Sequence, residues 1–230
     1  MADREGYGQF CPVSMASEIL CSRWTTLVVR ELLCGSTRFN DLRRGLPKMS
    51  PALLSKRLKE LEQSGVVAVR RSANGATDYR LTEAGEELRP LIMGLGTWAQ
   101  RWMESRLSLK NLDPSLLMWD MRRCLDTSRL PPRRCTIQFL YPELAAARKC
   151  WWLVVENGNV DLCNFDPGYD VDLLVEGSLR SMTAIWMGLT TIREETLTNA
   201  LKLEGDRAIA RDMQGWLGLS PFAKTERMRA

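Results

Sequence analysis

The chain has 230 residues, 45% hydrophobic and 26% charged; these proportions exclude a fibre or a disordered chain and leave room for two ordinary domains. Its net charge of +4 conceals an asymmetry: residues 1–108 carry 16 basic and 12 acidic side chains, residues 109–230 carry 16 of each, and Arg38 to Arg80 alone holds ten basic against four acidic. Positive charge grouped in this way suits a polyanionic partner.

In chain order, Val13 to Leu20 and Trp24 to Leu33 read as short helices, the second with Leu27, Val28, Leu32 and Leu33 on a broad apolar face and Gly35 as its stop. Thr37 to Phe39 is long enough for one rung of a sheet. Asn40 is expected to cap a turn-length helix from Asp41 to Gly45. Ser50 followed by Pro51 starts the next helix, since Ser caps and Pro fits the first helical position, and Gly65 closes it after about Gln63. Leu54, Leu58 and Leu61 share one face of it, whereas Ala52, Lys56, Lys59 and Gln63 project to the opposite side. Arg57 falls on the boundary, where its stem can lie along the domain and its head reach outward.

Val66 to Arg71 and Asp78 to Leu81 read as strands joined by a turn at Asn74-Gly75, a hairpin signal. Thr82 then caps a long helix expected from Glu83 to about Leu107, weakened by Gly85, Pro90, Gly94 and Gly96. Leu88, Leu91, Ile92, Leu95, Trp98 and Trp102 give it an apolar stripe too wide for solvent. Helix, helix, short strand, helix, basic amphipathic helix, hairpin, long helix is the order of a winged helix-turn-helix domain, assigned here to residues 1–108. In such a domain the Ser50 to Gln63 helix enters the major groove of double-stranded DNA, and the hairpin follows the phosphate backbone. The expected DNA-contacting residues are Arg43, Arg44 and Lys48 before that helix, Ser50, Ala52, Ser55, Lys56, Arg57 and Lys59 on it, and Arg70, Arg71, Asn74 and Arg80 in the wing.

The run from Cys11 to Arg70, continued by Thr77 to Leu88, resembles the HxlR-type family of bacterial winged-helix regulators. The resemblance rests on Cys11-Pro12, on Trp24, on Arg38, Phe39 and Leu42, on Ser50, Leu54, Ser55, Arg57 and Leu58 in the reader helix, and on Tyr79, Leu81, Thr82 and Gly85. It implies a homodimer whose terminal helices form the interface, the role assigned to the Leu88 to Trp102 stripe. It also implies two roles for Cys11, packing at that interface or acting as an oxidant-sensing thiol. A reactive thiol needs exposure and a lowered pKa.

After Leu107 the pattern resets, and residues 109–230 form the second domain. A helix is expected at Leu116 to Cys124, strands at Thr136 to Leu140, Trp151 to Val155, Val160 to Cys163 and Val171 to Val175, and a tight turn at Asn157-Gly158. Helices at Ser178 to Met187 and Arg193 to Ala200, a strand at Leu201 to Glu204 and a helix at Asp206 to Trp216 complete an α+β domain. The stretch from Val160 to Gly188 and the closing strand and helix resemble the sterol-carrier-protein-type domain. That resemblance implies four antiparallel strands around an apolar tunnel; Trp151, Trp152, Met182, Trp186, Met187 and Trp216 are the candidates to line it, with ordinary core packing as the other role for each.

No histidine is present, and the seven cysteines lack C-x-x-C spacing, so neither a metal site nor a cofactor is expected. There is no G-x-S-x-G elbow or glycine-rich phosphate loop, and the carboxylates Asp161, Asp166, Asp170 and Asp172 read as solvated turn residues, so no catalytic residue is assigned. Unpaired cysteines without a signal peptide suit the cytoplasm. Apolar stretches fall short of the roughly 20 residues that span a bilayer. The expected function is a homodimeric DNA-binding regulator, a repressor in the simplest arrangement, whose second domain senses an apolar small molecule or strengthens the dimer. The alternatives are a carrier of lipid or another hydrophobic ligand, and a thiol-based redox regulator using Cys11.

Overall fold

The structure is a computed structural model that describes residues 6–71, 75–104 and 109–228. It divides into two compact units, Met1–Leu95 and Gly96–Ala230. The first contains α1 (Pro12–Leu20), α2 (Thr25–Leu33), α3 (Phe39–Gly45), α4 (Pro51–Gln63), β1 (Val67–Arg71), β2 (Thr77–Leu81), α5 (Glu83–Glu86) and the start of α6 (Arg89–Trp102). This is the winged helix order. β1 and β2 pair antiparallel, and a single bridge from Arg38 to Asp78 adds the expected short rung. Val28, Val29, Leu42, Leu54, Leu58, Leu61 and Val67 form the core beneath α4.

Two local expectations are corrected. Asn40 is not a cap: α3 begins at Phe39, with Arg38 at the N-cap position, where its side chain makes no capping bond to the helix. The long helix is broken in two, because Thr82 caps only the short α5, through Gly85 N–H to Thr82 Oγ1 at 3.2 Å, and Pro90 has no N–H with which to continue the ladder. The expected end at Leu107 lies outside the described residues, and α6 ends at Trp102.

Glu31 is wholly buried in the first unit. Its carboxylate accepts bonds from the Arg30 guanidinium and from Ser36 Oγ at 3.3 Å. A Cβ at Gly45 would overlap that carboxylate, so the close approach of α3 to α2 requires glycine. Gly45→Ala is expected to cost roughly 2 kcal/mol and lower Tm by on the order of 10 °C for a unit of this size, measured by thermal melting.

In the second unit the rest of α6 is followed by α7 (Pro114–Cys124), β3 (Cys135–Leu140), α8 (Ala146–Lys149), β4 (Cys150–Glu156) and β5 (Asn159–Cys163). Next come β6 (Leu173–Gly177), α9 (Leu179–Trp186), α10 (Ile192–Leu197), β7 (Leu201–Gly205), α11 (Arg207–Arg211) and α12 (Met213–Trp216). The unit is α+β, as expected, but its sheet is mixed: the order is β5-β4-β3-β6-β7, and β6 runs parallel to β3. The expectation of four antiparallel strands is thereby corrected. The 164–172 connection carries the chain past β4 and β3 before β6 begins, and a strand entering after such a crossover can lie parallel to its neighbour.

β6 also starts later than expected, at Leu173. Asp172 is drawn off the strand pattern because its carboxylate accepts the Thr136 N–H at 2.8 Å and pairs with Arg133 at 2.7 Å. Asn157 and Gly158 both have positive φ, 51° and 76°, the conformation of a type I′ hairpin turn. One face of the sheet, with Ile137, Phe139, Leu153, Leu173 and Val175, packs on Met118, Met121, Leu179, Met182, Ile185 and Trp216.

Candidate nucleic-acid interface

The basic amphipathic helix α4 is built by its ends. Ser50 Oγ accepts the Leu53 N–H at 3.3 Å, and Pro51 occupies the first turn, where its missing donor does no harm. Ser50 is therefore a cap, with its side chain engaged at the helix start. Leu54, Leu58 and Leu61 are buried, and Ala52, Ser55, Lys56 and Lys59 are exposed on the other side. The helix thus presents small and basic side chains outward on a rigid, capped rod.

Arg57 departs from the expected outward reach. It is only 7% exposed; its guanidinium pairs with Glu60, and its Nε donates to the Arg23 carbonyl oxygen at 3.1 Å. The boundary position that offered it an outward path also put it within reach of these acceptors, and a buried guanidinium with both partners in place has little reason to leave. Arg57 fastens α4 to the turn before α2. Arg57→Ala is expected to lower Tm while leaving the salt slope of DNA binding unchanged, measured by melting and by titration at several salt concentrations.

Around α4, Arg43 and Arg44 end α3, and Lys48 lies in the turn that follows; all three are exposed. Arg44 Nη1 stands 3.5 Å from Asp41 on its own helix, a pair weak enough at the surface to yield to a phosphate. In the wing, Gly75 has a φ of +77°, while Asn74 lies outside the described residues. Pairing of Arg70 with Asp78 and of Ala68 with Arg80 puts Arg70, Arg80 and Asp78 on one face of the ribbon. Arg71 is on the other face, with Val69 and Tyr79.

Arg80 Nε donates to Asp78 Oδ2 at 2.5 Å. That bond, with one from Thr37, holds the Asp78 carboxyl below the usual carboxylate range. Arg38 lies 3.9 Å from the same carboxylate. Sequence reasoning missed this cluster, although the strand register, once fixed, gives Asp78 away as the acceptor nearest the wing arginines.

The remaining candidates fall in three places. Leu91, Leu95, Trp98 and Trp102 lie exposed along one stripe of α6, with Leu95 at 56% and Trp98 at 60%. Ile92, about 100° round the helix from Leu91, is buried in the core of the first unit, and Leu88 packs against that core. In the second unit Trp151, Met182, Trp186 and Trp216 are core residues, and Met187 packs at their edge. Trp152, buried as well, alternates to the other face of β4. The indole N–H groups of Trp151 and Trp216 donate to the carbonyl oxygens of Arg148 and Ile209 at 2.9 and 2.8 Å. Cys11 is a free, half-buried thiol at the N-cap of α1.

Among the described residues no cluster of three or more Cys, Asp or Glu could hold a metal ion, and no helix is long and apolar enough to cross a membrane.

Residues 19–107 match the model of the HxlR-like helix-turn-helix family. The uncharacterized HTH-type transcriptional regulator YvaP of Bacillus subtilis is 40% identical over 101 residues, 42% of this chain and 92% of YvaP. The HTH-type transcriptional regulator YodB of the same organism is 33% identical over 97 residues, 41% of this chain and 87% of YodB. The solved structure of the reduced form of YodB, at 30% identity, covers 40% of this chain and 93% of its own, with a TM-score of 0.36. The matched stretch contains the whole α2 to β2 arrangement, with its capped basic helix and paired wing, and on that ground the chain belongs to the HxlR-like helix-turn-helix family.

Proposed function

We propose that this protein is a sequence-specific transcriptional regulator that binds double-stranded DNA as a homodimer. The observation that carries the reading is the division of α4 into a buried Leu54, Leu58 and Leu61 seam and an exposed Ala52, Ser55, Lys56 and Lys59 face. A helix so divided can rest on its domain and enter a major groove. Arg43, Arg44, Lys48, Arg70, Arg71 and Arg80 would position it by contacting phosphates, and the α4 face would choose the sequence. The relatives' names as transcriptional regulators support the same reading. For the second unit, the α+β architecture with a tryptophan- and methionine-rich core supports a sterol-carrier-like domain that answers an apolar effector or strengthens the dimer.

The test is retention of the purified chain on DNA fragments from upstream of its own gene, in competition with unrelated DNA and at several salt concentrations. A specific fragment should be retained, and Arg71→Ala should weaken binding to all sequences while reducing the salt slope by about 2 per dimer. A change in base preference without a change in slope would place Arg71 on bases instead. Equal retention of every fragment removes the claim of sequence specificity.

A further inference from the structure

The first unit holds a cleft of about 340 Å³ between the end of α1, the Ser22 to Thr25 turn and the last turns of α4. Glu18 and Glu60 line it together with the apolar side chains of Ile19 and Leu61, and among the described residues no lysine or arginine does. Thr25 also lines it. That residue is 2% exposed, and its hydroxyl has no hydrogen-bond partner among the described residues, whereas buried polar groups are nearly always bonded. The Glu18 carboxylate accepts the Tyr7 backbone N–H at 2.7 Å, and among the described residues no cationic side chain pairs with it. Glu60 accepts from Arg57, which holds the Arg23 carbonyl with its Nε at 3.1 Å.

Two carboxylates repel an anion, and a wholly apolar solute would strip water from them without replacing it. A cationic nitrogen satisfies the carboxylates, and a compact apolar body fits Ile19 and Leu61. We propose that this cleft is an effector site for a small organic cation with a compact apolar body, and that its occupancy is transmitted to α4; the second half rests on the regulator reading above. A cation at Glu60 competes with Arg57 for the carboxylate, and Arg57 is the side chain that fastens α4 to the turn before α2. The two states of that fastening give the ligand the differential affinity that any shift of α4 requires.

The test uses the full chain without DNA, titrated with benzamidinium, its neutral analogue benzamide and its anionic analogue benzoate, by calorimetry and ligand-observed NMR. Benzamidinium should bind at least about tenfold more tightly than benzamide, benzoate should not bind, and Glu18→Gln should weaken benzamidinium about tenfold with the melting curve unchanged. Gln63→Trp, which fills the mouth from an exposed position, should remove binding. The site is overturned if benzamidinium does not bind, if the three compounds bind alike, or if Glu18→Gln binds as the parent does. Saturating benzamidinium should then change operator affinity by at least about threefold. An unchanged operator affinity overturns the link to α4, whereas a chain that retains no DNA fragment overturns the regulator reading and leaves the ligand titration standing.

Discussion

Replacing Lys56 and Lys59 together by alanine is expected to abolish specific retention of an operator fragment while leaving the circular dichroism spectrum and Tm unchanged. Both side chains are exposed on α4, on the side away from Leu54, Leu58 and Leu61. Neither is tied to a carboxylate in an ion pair among the described residues, so removing them leaves no buried partner behind. Alanine is also the better helix former, which favours an intact α4. A dimer would lose four cations at the DNA surface. At one phosphate each, the salt slope would fall by about 3 to 4, and affinity near physiological salt by about two to four orders of magnitude. If either lysine contacts a base edge, the loss also relaxes preference at that position. Unaltered operator affinity in the double variant would remove α4 from the reader role.

The parts of the fold that follow from local chemistry were legible in the sequence. Ser50-Pro51 and Thr82 announce helix starts, and the structure gives each its capping bond. Leucine spacing places the seam of α4, and Asn157-Gly158 places a hairpin in the second unit. What escaped depends on partners distant in sequence. Arg57 on the edge of a helical wheel can point to solvent or to the Arg23 carbonyl 34 residues earlier, and periodicity does not choose between them. Arg80 is expected from the sequence to contact phosphate from the wing, and nothing local announces that its position opposite Ala68 also sets it beside Asp78, whose carboxylate accepts its Nε–H. Asp172 looked like a strand residue by alternation until Arg133 and the Thr136 amide claimed its carboxylate. The parallel pairing of β6 with β3 is likewise set by a crossover, which a strand's own residues do not encode.

The full chain is expected to sediment as a dimer at tens of micromolar, and Trp98→Glu to split it into folded monomers. Leu91, Leu95, Trp98 and Trp102 recur at intervals of four, three and four residues, so they form one continuous stripe along α6, and all four are exposed in the single chain. Residues on the adjacent strip are differently placed. Ile92 is buried in the first unit, while in the second Gln100 Nε2 donates to the Met187 carbonyl at 3.2 Å and Gly96 lies so close to the Phe222 ring that a Cβ would overlap it. Among the described residues, therefore, Ile92, Gly96 and Gln100 on α6 are engaged, each within its own unit, whereas the apolar stripe of Leu91, Leu95, Trp98 and Trp102 stays exposed.

Full burial of each large apolar side chain is worth about 1.5 to 3 kcal/mol. A two-fold axis through such a stripe uses every residue twice, and with about half of each side chain still to be buried the gain is of the same order as the cost of association. The same axis would set two α4 helices about 34 Å apart on one side of the DNA, the spacing of successive major grooves and of palindromic half-sites. A glutamate at Trp98 removes one of the two largest side chains of the stripe and brings a charge that must be desolvated on each subunit; because Trp98 is exposed in the single chain, the monomer should keep its Tm. A parent chain that sediments as a monomer at tens of micromolar would sink the dimer, and a Trp98→Glu variant that remains dimeric would move the interface away from α6.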